Sequence, residues 1–166
     1  MKINIASVLR NDGASKDFSG EVVLGEVEFM GSTLLFEKPL LVEGKVLNIG
    51  GTLEISAQIN GSYRAECSRC GNPVNEDFSA ELFESVDNDF SDIDEECICI
   101  AGNVMDISGS IEACIFGNIP LQFLCSEDCK GLCPVCGINL NENECNCDTT
   151  VYDPRFAIFR NLSEEV

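Results

Sequence analysis

Eleven cysteines stand in this chain without a single histidine, and their spacing limits the possible folds more than any other feature. Cysteines this dense serve either as a disulfide framework or as metal ligands. A framework needs an oxidising compartment and normally an even count. Residues 1–10 mix Ile3, Ile5, Val8 and Leu9 with Lys2, Asn4 and Ser7, so they lack the continuous apolar run of a secretory signal, and a cytoplasmic setting is expected. Metal ligation fits better. Cys67-Ser68-Arg69-Cys70-Gly71 and Cys133-Pro134-Val135-Cys136-Gly137 both have the form of a metal knuckle, in which a tight turn aims two sulfurs at one point. The glycine accepts positive φ and lets backbone N–H groups approach the thiolates.

Cys125-x3-Cys129 and Cys145-x-Cys147 complete a set of eight ligands, enough for two tetrahedral sites, so two zinc ions are the expected cofactors. Cys133, Cys136, Cys145 and Cys147 form the compact site, because only eight residues separate the knuckle from the second pair. Cys67, Cys70, Cys125 and Cys129 then form the other, spanning a 54-residue interval that secondary structure must fill. Exchange of partners among the cysteines of 125–147 is the competing arrangement, and iron suits four thiolates as well as zinc does. A redox-active CxxC places its first cysteine at a helix N-terminus. Here Cys70 and Cys136 are each followed by glycine and soon by asparagine, which reads as a turn. Cys97, Cys99 and Cys114 have no partner at ligand spacing and read as small buried apolar residues.

Between Cys125 and Cys147 only Leu132, Val135, Ile138 and Leu140 are bulky and apolar. They cannot offset an ordering entropy of roughly 1 to 2 kcal/mol per residue. A structural zinc contributes an apparent ~10 to 16 kcal/mol in small modules, enough to order such a segment.

The rest of the chain reads as α+β, mainly antiparallel β-sheet or partial barrel with one or two short helices, ending in a zinc-ribbon-like module built on four cysteine ligands. Short apolar runs broken by Gly20, Gly25 and Gly31 suit strands, as do Val42, Val46 and Leu47 after Pro39. Leu53, Ile55, Ala57 and Ile59 alternate, Asn60-Gly61 has the form of a type I′ turn, and Tyr63, Ala65 and Cys67 alternate after it, which predicts a hairpin. Val74, Phe78, Ala80 and Leu82 continue on a further strand, placing the first knuckle at a hairpin tip. The acidic run from Asp87 to Glu96 reads as an exposed loop without calcium-loop spacing. A short hairpin about Gly102-Asn103 precedes a helix near 107–117, capped by Asp106 or Ser108, with Ile107, Ile111, Cys114 and Ile115 as its core stripe. Asp153-Pro154 starts a last helix carrying Phe156, Phe159 and Leu162. The expected division is a β-rich body over 1–120 and a cysteine module with its helix over 121–166.

A formal net charge of -19 argues against a conventional nucleic-acid binder, whose affinity comes from Lys and Arg on phosphates. Two occupied four-thiolate sites would take it to about -23. The excess reads either as a solvated surface that aids solubility or as complementarity to a basic protein. No window approaches a membrane span. There is no histidine base, no GxSxG elbow, no P-loop and no recognisable carboxylate pair, so no enzyme is expected. A dithiol oxidoreductase using Cys67 and Cys70, and a zinc buffer, are the alternatives.

One Cys67-x-x-Cys70 after a β-rich half, Ile119-Pro120-Leu121 ahead of the run Cys125 to Gly137, then Asn139-Leu140-Asn141 and Asp153-Pro154-Arg155, together resemble the YceD family, the bacterial large ribosomal RNA subunit accumulation proteins. The resemblance implies a role in accumulation of large-subunit ribosomal RNA and assembly of the large subunit, without an enzymatic activity. In the barest version of that family the C-terminal cysteines are fewer, so the second zinc site would be a lineage addition. Taken with the charge, the implied partner is a basic ribosomal protein or assembly factor, with direct RNA contact disfavoured.

Overall fold

Period-two alternation dominates the first half of the chain, and in the computed structural model, which describes residues 1–87 and 98–148, it becomes antiparallel sheet. β1 (Lys2–Asn4) and the single-turn helix α1 (Ala6–Leu9) lead into β2 (Ser15–Val22), β3 (Gly25–Phe29), β4 (Ser32–Phe36), β5 (Leu40–Ile49), β6 (Thr52–Glu66) and β7 (Pro73–Asp87). β8 (Cys99–Ala101), β9 (Val104–Asp106) and helix α2 (Ser108–Asn118) follow. β1, β9 and β8 form a small three-stranded sheet in that order. The larger sheet runs β2-β5-β6-β4-β3, with β7 on the other edge of β6. Among the described residues every strand pairing is antiparallel, and the class is the expected one, mostly antiparallel sheet with few helices.

β6 organises the molecule. It pairs with β7 from Thr52↔Asp87 to Glu66↔Pro73. Its other edge is shared: β5 takes the first part, to Asn60, and β4 meets it at Arg64. The predicted type I′ hairpin at Asn60-Gly61 is therefore absent, and one 15-residue strand runs straight through it. The physical reason is parity. Leu53, Ile55, Ala57, Ile59, Tyr63 and Ala65 are all buried, and all occupy odd positions. A two-residue turn at 60–61 would put Tyr63 and Ala65 on the face opposite Ile59. Gly61 serves close approach instead, since a Cβ there would collide with the Leu40 side chain. The hairpin turn falls earlier, at Gly50-Gly51, both with positive φ.

The core gathers Leu40, Val42 and Val46 of β5, the odd face of β6, and Val74, Phe78, Ala80, Leu82 and Val86 of β7. Helix α2 adds Ile111 and Ile115, with Ile107 just before it, on the predicted stripe. At its start Asp106 accepts from the Ser108 backbone N–H at 3.1 Å and from its hydroxyl at 2.6 Å. Tyr63 sits at the centre of an aromatic group, 5.8 Å from Phe36, 6.5 Å from Phe78 and 5.8 Å from Phe123 between ring centroids. The β8–β9 hairpin turns about Gly102-Asn103 as expected. Cys99 is exposed on the outward face of a short strand, which corrects its reading as a core residue, whereas Cys114 is half-buried and packs against the core. Cys97, most of the acidic run and the helix expected from Asp153 lie outside the described residues. Among the described residues no helix is long and apolar enough to cross a membrane.

Candidate metal centres

The β6–β7 hairpin does not close tightly; it ends in the first knuckle. Cys67 N–H donates to Asn72 O at 2.8 Å and Gly71 N–H to Cys67 O at 2.9 Å, with Gly71 at φ +75°. This folds the turn so that both sulfurs lie on one side. The second knuckle repeats the geometry, with Gly137 N–H donating to Cys133 O at 2.8 Å and Gly137 at φ +73°. That recurrence is why glycine follows each CxxC.

Beyond α2 the chain returns to the hairpin tip. Ser68 N–H donates to Phe123 O at 2.8 Å, and Phe123 N–H donates to the Ser68 hydroxyl at 3.1 Å. With the Phe123 ring against Tyr63, this delivers Cys125 and Cys129 to the first knuckle. Arg69 donates from Nη1 to Cys129 O at 2.9 Å, and Leu132 N–H donates to Arg69 O at 3.1 Å.

The result is two groups of four sulfurs. Cys67, Cys70, Cys125 and Cys129 form one; Cys133, Cys136, Cys145 and Cys147 form the other; within each, the Sγ atoms lie within 4.8 Å of one another. These are the eight positions and the grouping read from the spacing. Cys67 Sγ is 3.8 Å from Cys129 Sγ and Cys70 Sγ is 3.6 Å from Cys125 Sγ. Those distances are far beyond a disulfide bond. They match the roughly 3.8 Å edge of a tetrahedron whose centre lies about 2.3 Å from each sulfur, as in a zinc tetrathiolate. Both groups can therefore hold a metal ion.

Their electrostatics fit a cation. Burial pushes the Cys67 thiol up, but the N–H groups of Cys125, Arg69 and Cys70 outweigh it and bring it down to about 6. The N–H groups of Cys136 and Val135 hold Cys133 down to about 6. Cys125 and Cys147 go the other way. The Cys129 and Cys70 side chains push Cys125 up to about 12, and Cys136 with desolvation pushes Cys147 up to about 12. Each cluster thus readies the first cysteine of its knuckle as a thiolate, while four thiolates together require a positive ion to coexist.

Two supporting residues carry no signal in the cysteine spacing. Asn141 donates from Nδ2 to Cys129 Sγ at 3.3 Å, and Arg69 braces the Cys129 carbonyl. Asn141 belongs to the Asn139-Leu140-Asn141 run, whose recurrence of asparagine was the available hint.

A family model described as "Large ribosomal RNA subunit accumulation protein YceD" matches residues 55–163, a stretch that holds both clusters. A protein of Arabidopsis thaliana, "Large ribosomal RNA subunit accumulation protein YCED homolog 1, chloroplastic", is 35% identical over 62 residues, covering 37% of this chain. The match spans only 19% of that relative's length. No solved structure matches the chain. With the model covering well over half of its length, the chain belongs to the YceD family, named for accumulation of large-subunit ribosomal RNA.

Proposed function

We propose that this chain is a non-enzymatic zinc protein that supports accumulation of large-subunit ribosomal RNA, and so assembly of the large ribosomal subunit, in the cytoplasm. The observation that carries the reading is the convergence of eight cysteine sulfurs into two four-sulfur clusters inside the family-matched stretch. Zn²⁺ is the metal, one ion on Cys67, Cys70, Cys125 and Cys129 and one on Cys133, Cys136, Cys145 and Cys147. When bound, zinc with four thiolates supplies a fixed tetrahedral cross-link and no open position for a substrate. The chain's own residues set the knuckles, neutralise thiolate charge through backbone N–H groups and tie the returning segment to the hairpin tip. The division into a β-rich body through residue 120 and a cysteine module from residue 121 is part of the same proposal.

The partner is a basic protein, a ribosomal protein or another assembly factor. A chain at -19 is repelled by RNA at long range and attracted to basic surfaces. Sucrose-gradient profiles of a strain lacking the protein should show a shortage of large subunits, restored by the wild-type gene but not by Cys67→Ser/Cys70→Ser. The native protein should carry two zinc ions per chain. A normal subunit ratio in the deletion strain would overturn the functional reading. Pull-down after nuclease treatment should retain a basic protein; bare ribosomal RNA recovered with no protein bridge would count against the partner assignment.

A further inference from the structure

A side chain from the loop of the second cluster reaches a ligand of the first. Asn141 lies in the eight-residue loop between Cys136 and Cys145 that the second cluster closes. Its side chain is nevertheless spent on the first. Nδ2 donates to Cys129 Sγ at 3.3 Å, and Oδ1 accepts from the Lys130 N–H at 2.8 Å, beside that same cysteine. The loop holding it is stiff. Asn139 Oδ1 accepts from the Asn141 N–H at 3.0 Å and from its Nδ2 at 2.9 Å, while Leu140 N–H donates to Gly131 O at 2.9 Å. Cys133 N–H donates to Ile138 O at 2.8 Å, joining the knuckle of the second cluster to the same loop.

We infer that Asn141 couples the two metal centres, so that closing the second cluster around its ion presents an N–H donor to Cys129 and tightens the first. The inference rests on the reading that both clusters bind metal. An N–H donor on a metal-bound thiolate disperses its charge and fixes its orientation, and the loss of such a supporting partner typically weakens metal binding about ten- to a hundred-fold. The coupling is reciprocal: occupancy of the first cluster holds Cys129 where Asn141 can reach it, which pre-forms the loop of the second. The chain therefore loads its two ions together. The state in which the middle of the chain is tethered and the end is loose is then less populated than two independent sites would leave it.

The test is stepwise zinc addition to the reduced, metal-free full chain in the presence of a competing chelator, with native mass spectrometry counting the zero-, one- and two-metal species. Wild type should pass from zero to two ions with little singly loaded protein. Asn141→Ala should weaken the first cluster roughly ten-fold and let the singly loaded species accumulate. Asn141→Asp keeps an oxygen for the Lys130 N–H but sets a carboxylate against the thiolate, and should weaken it further. Asn141 is exposed, so both variants retain the sheets, which circular dichroism checks. Opening the second cluster with Cys145→Ser/Cys147→Ser should weaken the first by a similar factor. First-cluster affinity within about two-fold of wild type in both Asn141 variants, with no added singly loaded species, would overturn the coupling and leave the two-zinc reading standing. Failure of the wild type to take up any zinc would overturn both.

Discussion

Between Thr52 and Asp87 the chain hides hydrocarbon: Leu53, Ile55 and Ile59 of β6 are fully buried, with Phe78, Ala80 and Leu82 of β7 against them. Between Cys125 and Asp148 the buried residues are Cys129, Gly131 and Cys133, whereas Leu132 and Val135, among the bulkiest apolar side chains there, are 45% and 60% exposed. One region excludes water from apolar surface and the other gathers sulfur. The first has a driving force spread over many side chains, which no single reagent removes. The second depends on two ions that compete with chelators and with protons. The sheet supplies half of the first metal site, since Cys67 and Cys70 stand at the tip of its β6–β7 hairpin.

The largest expected effect breaks that contrast open. Chelation under reducing conditions withdraws ~10 kcal/mol or more per structural zinc. It should abolish hydrogen-exchange protection at Leu132, Cys133, Gly137 and Leu140, while the amides of β5, β6 and β7 stay slow. Equal protection with and without chelator would mean that the tail does not depend on metal. Next comes Ile55→Ala. At a fully buried position it should destabilise the sheet by about 2 to 5 kcal/mol, measured by urea unfolding of the chelated protein. Zinc stoichiometry of the folded variant should remain at the wild-type value, and a loss of zinc from it would show that the two regions share one stability. Gly61→Ala should be milder, about 1 to 3 kcal/mol, because the added methyl meets the flexible end of Leu40. A loss below ~0.5 kcal/mol would mean that Leu40 moves aside freely and that close approach is not what keeps position 61 a glycine.

The difference between the regions also explains what could be read in advance. Ligand spacing is local information, and it located the four sulfurs of the second cluster because all lie within fifteen residues. The first cluster followed by subtraction, and the sheet then brings its halves together. The helix expected near 107–117 differs from Ser108–Asn118 by a residue at each end, since its stripe and cap are also local. Asn60-Gly61 misled because the dipeptide favours a turn in isolation, whereas the odd-position parity that overrides it extends over the whole strand. The fork in β6, with β5 and β4 sharing one edge, has no local signature at all. Asn141 left only the recurrence of asparagine at 139 and 141 as a hint, because its role exists only once two separate loops are folded. The short helix α1 was missed for another reason: four residues at Ala6–Leu9 are too few to show a period.

Acid sharpens the contrast further, with the smallest effect on the sheet side. Protons compete with zinc for thiolates, so lowering pH should empty the clusters while the sheet remains folded. Within the sheet-and-helix portion, the group to watch is Asp106. The Ser108 hydroxyl, then the Ser108 N–H, hold its carboxyl at about 2, below the usual 3.8, with the Met1 ammonium 3.2 Å away. A depressed folded-state value means that the charged form stabilises. Its contribution is complete above the unfolded value near 4 and fades as pH falls from about 4 to about 2. Asp106→Asn should therefore cost about 1 kcal/mol at neutral pH, the size of a helix-start contact, and the gap between variant and wild type should narrow below about pH 4 and close near about pH 2. Urea unfolding of the chelated proteins at about pH 7, 4 and 2.5 measures it without interference from the tail. A gap that persists unchanged at about pH 2.5 would mean that Asp106 acts through shape and hydrogen bonding alone, leaving acid sensitivity to the cysteine clusters.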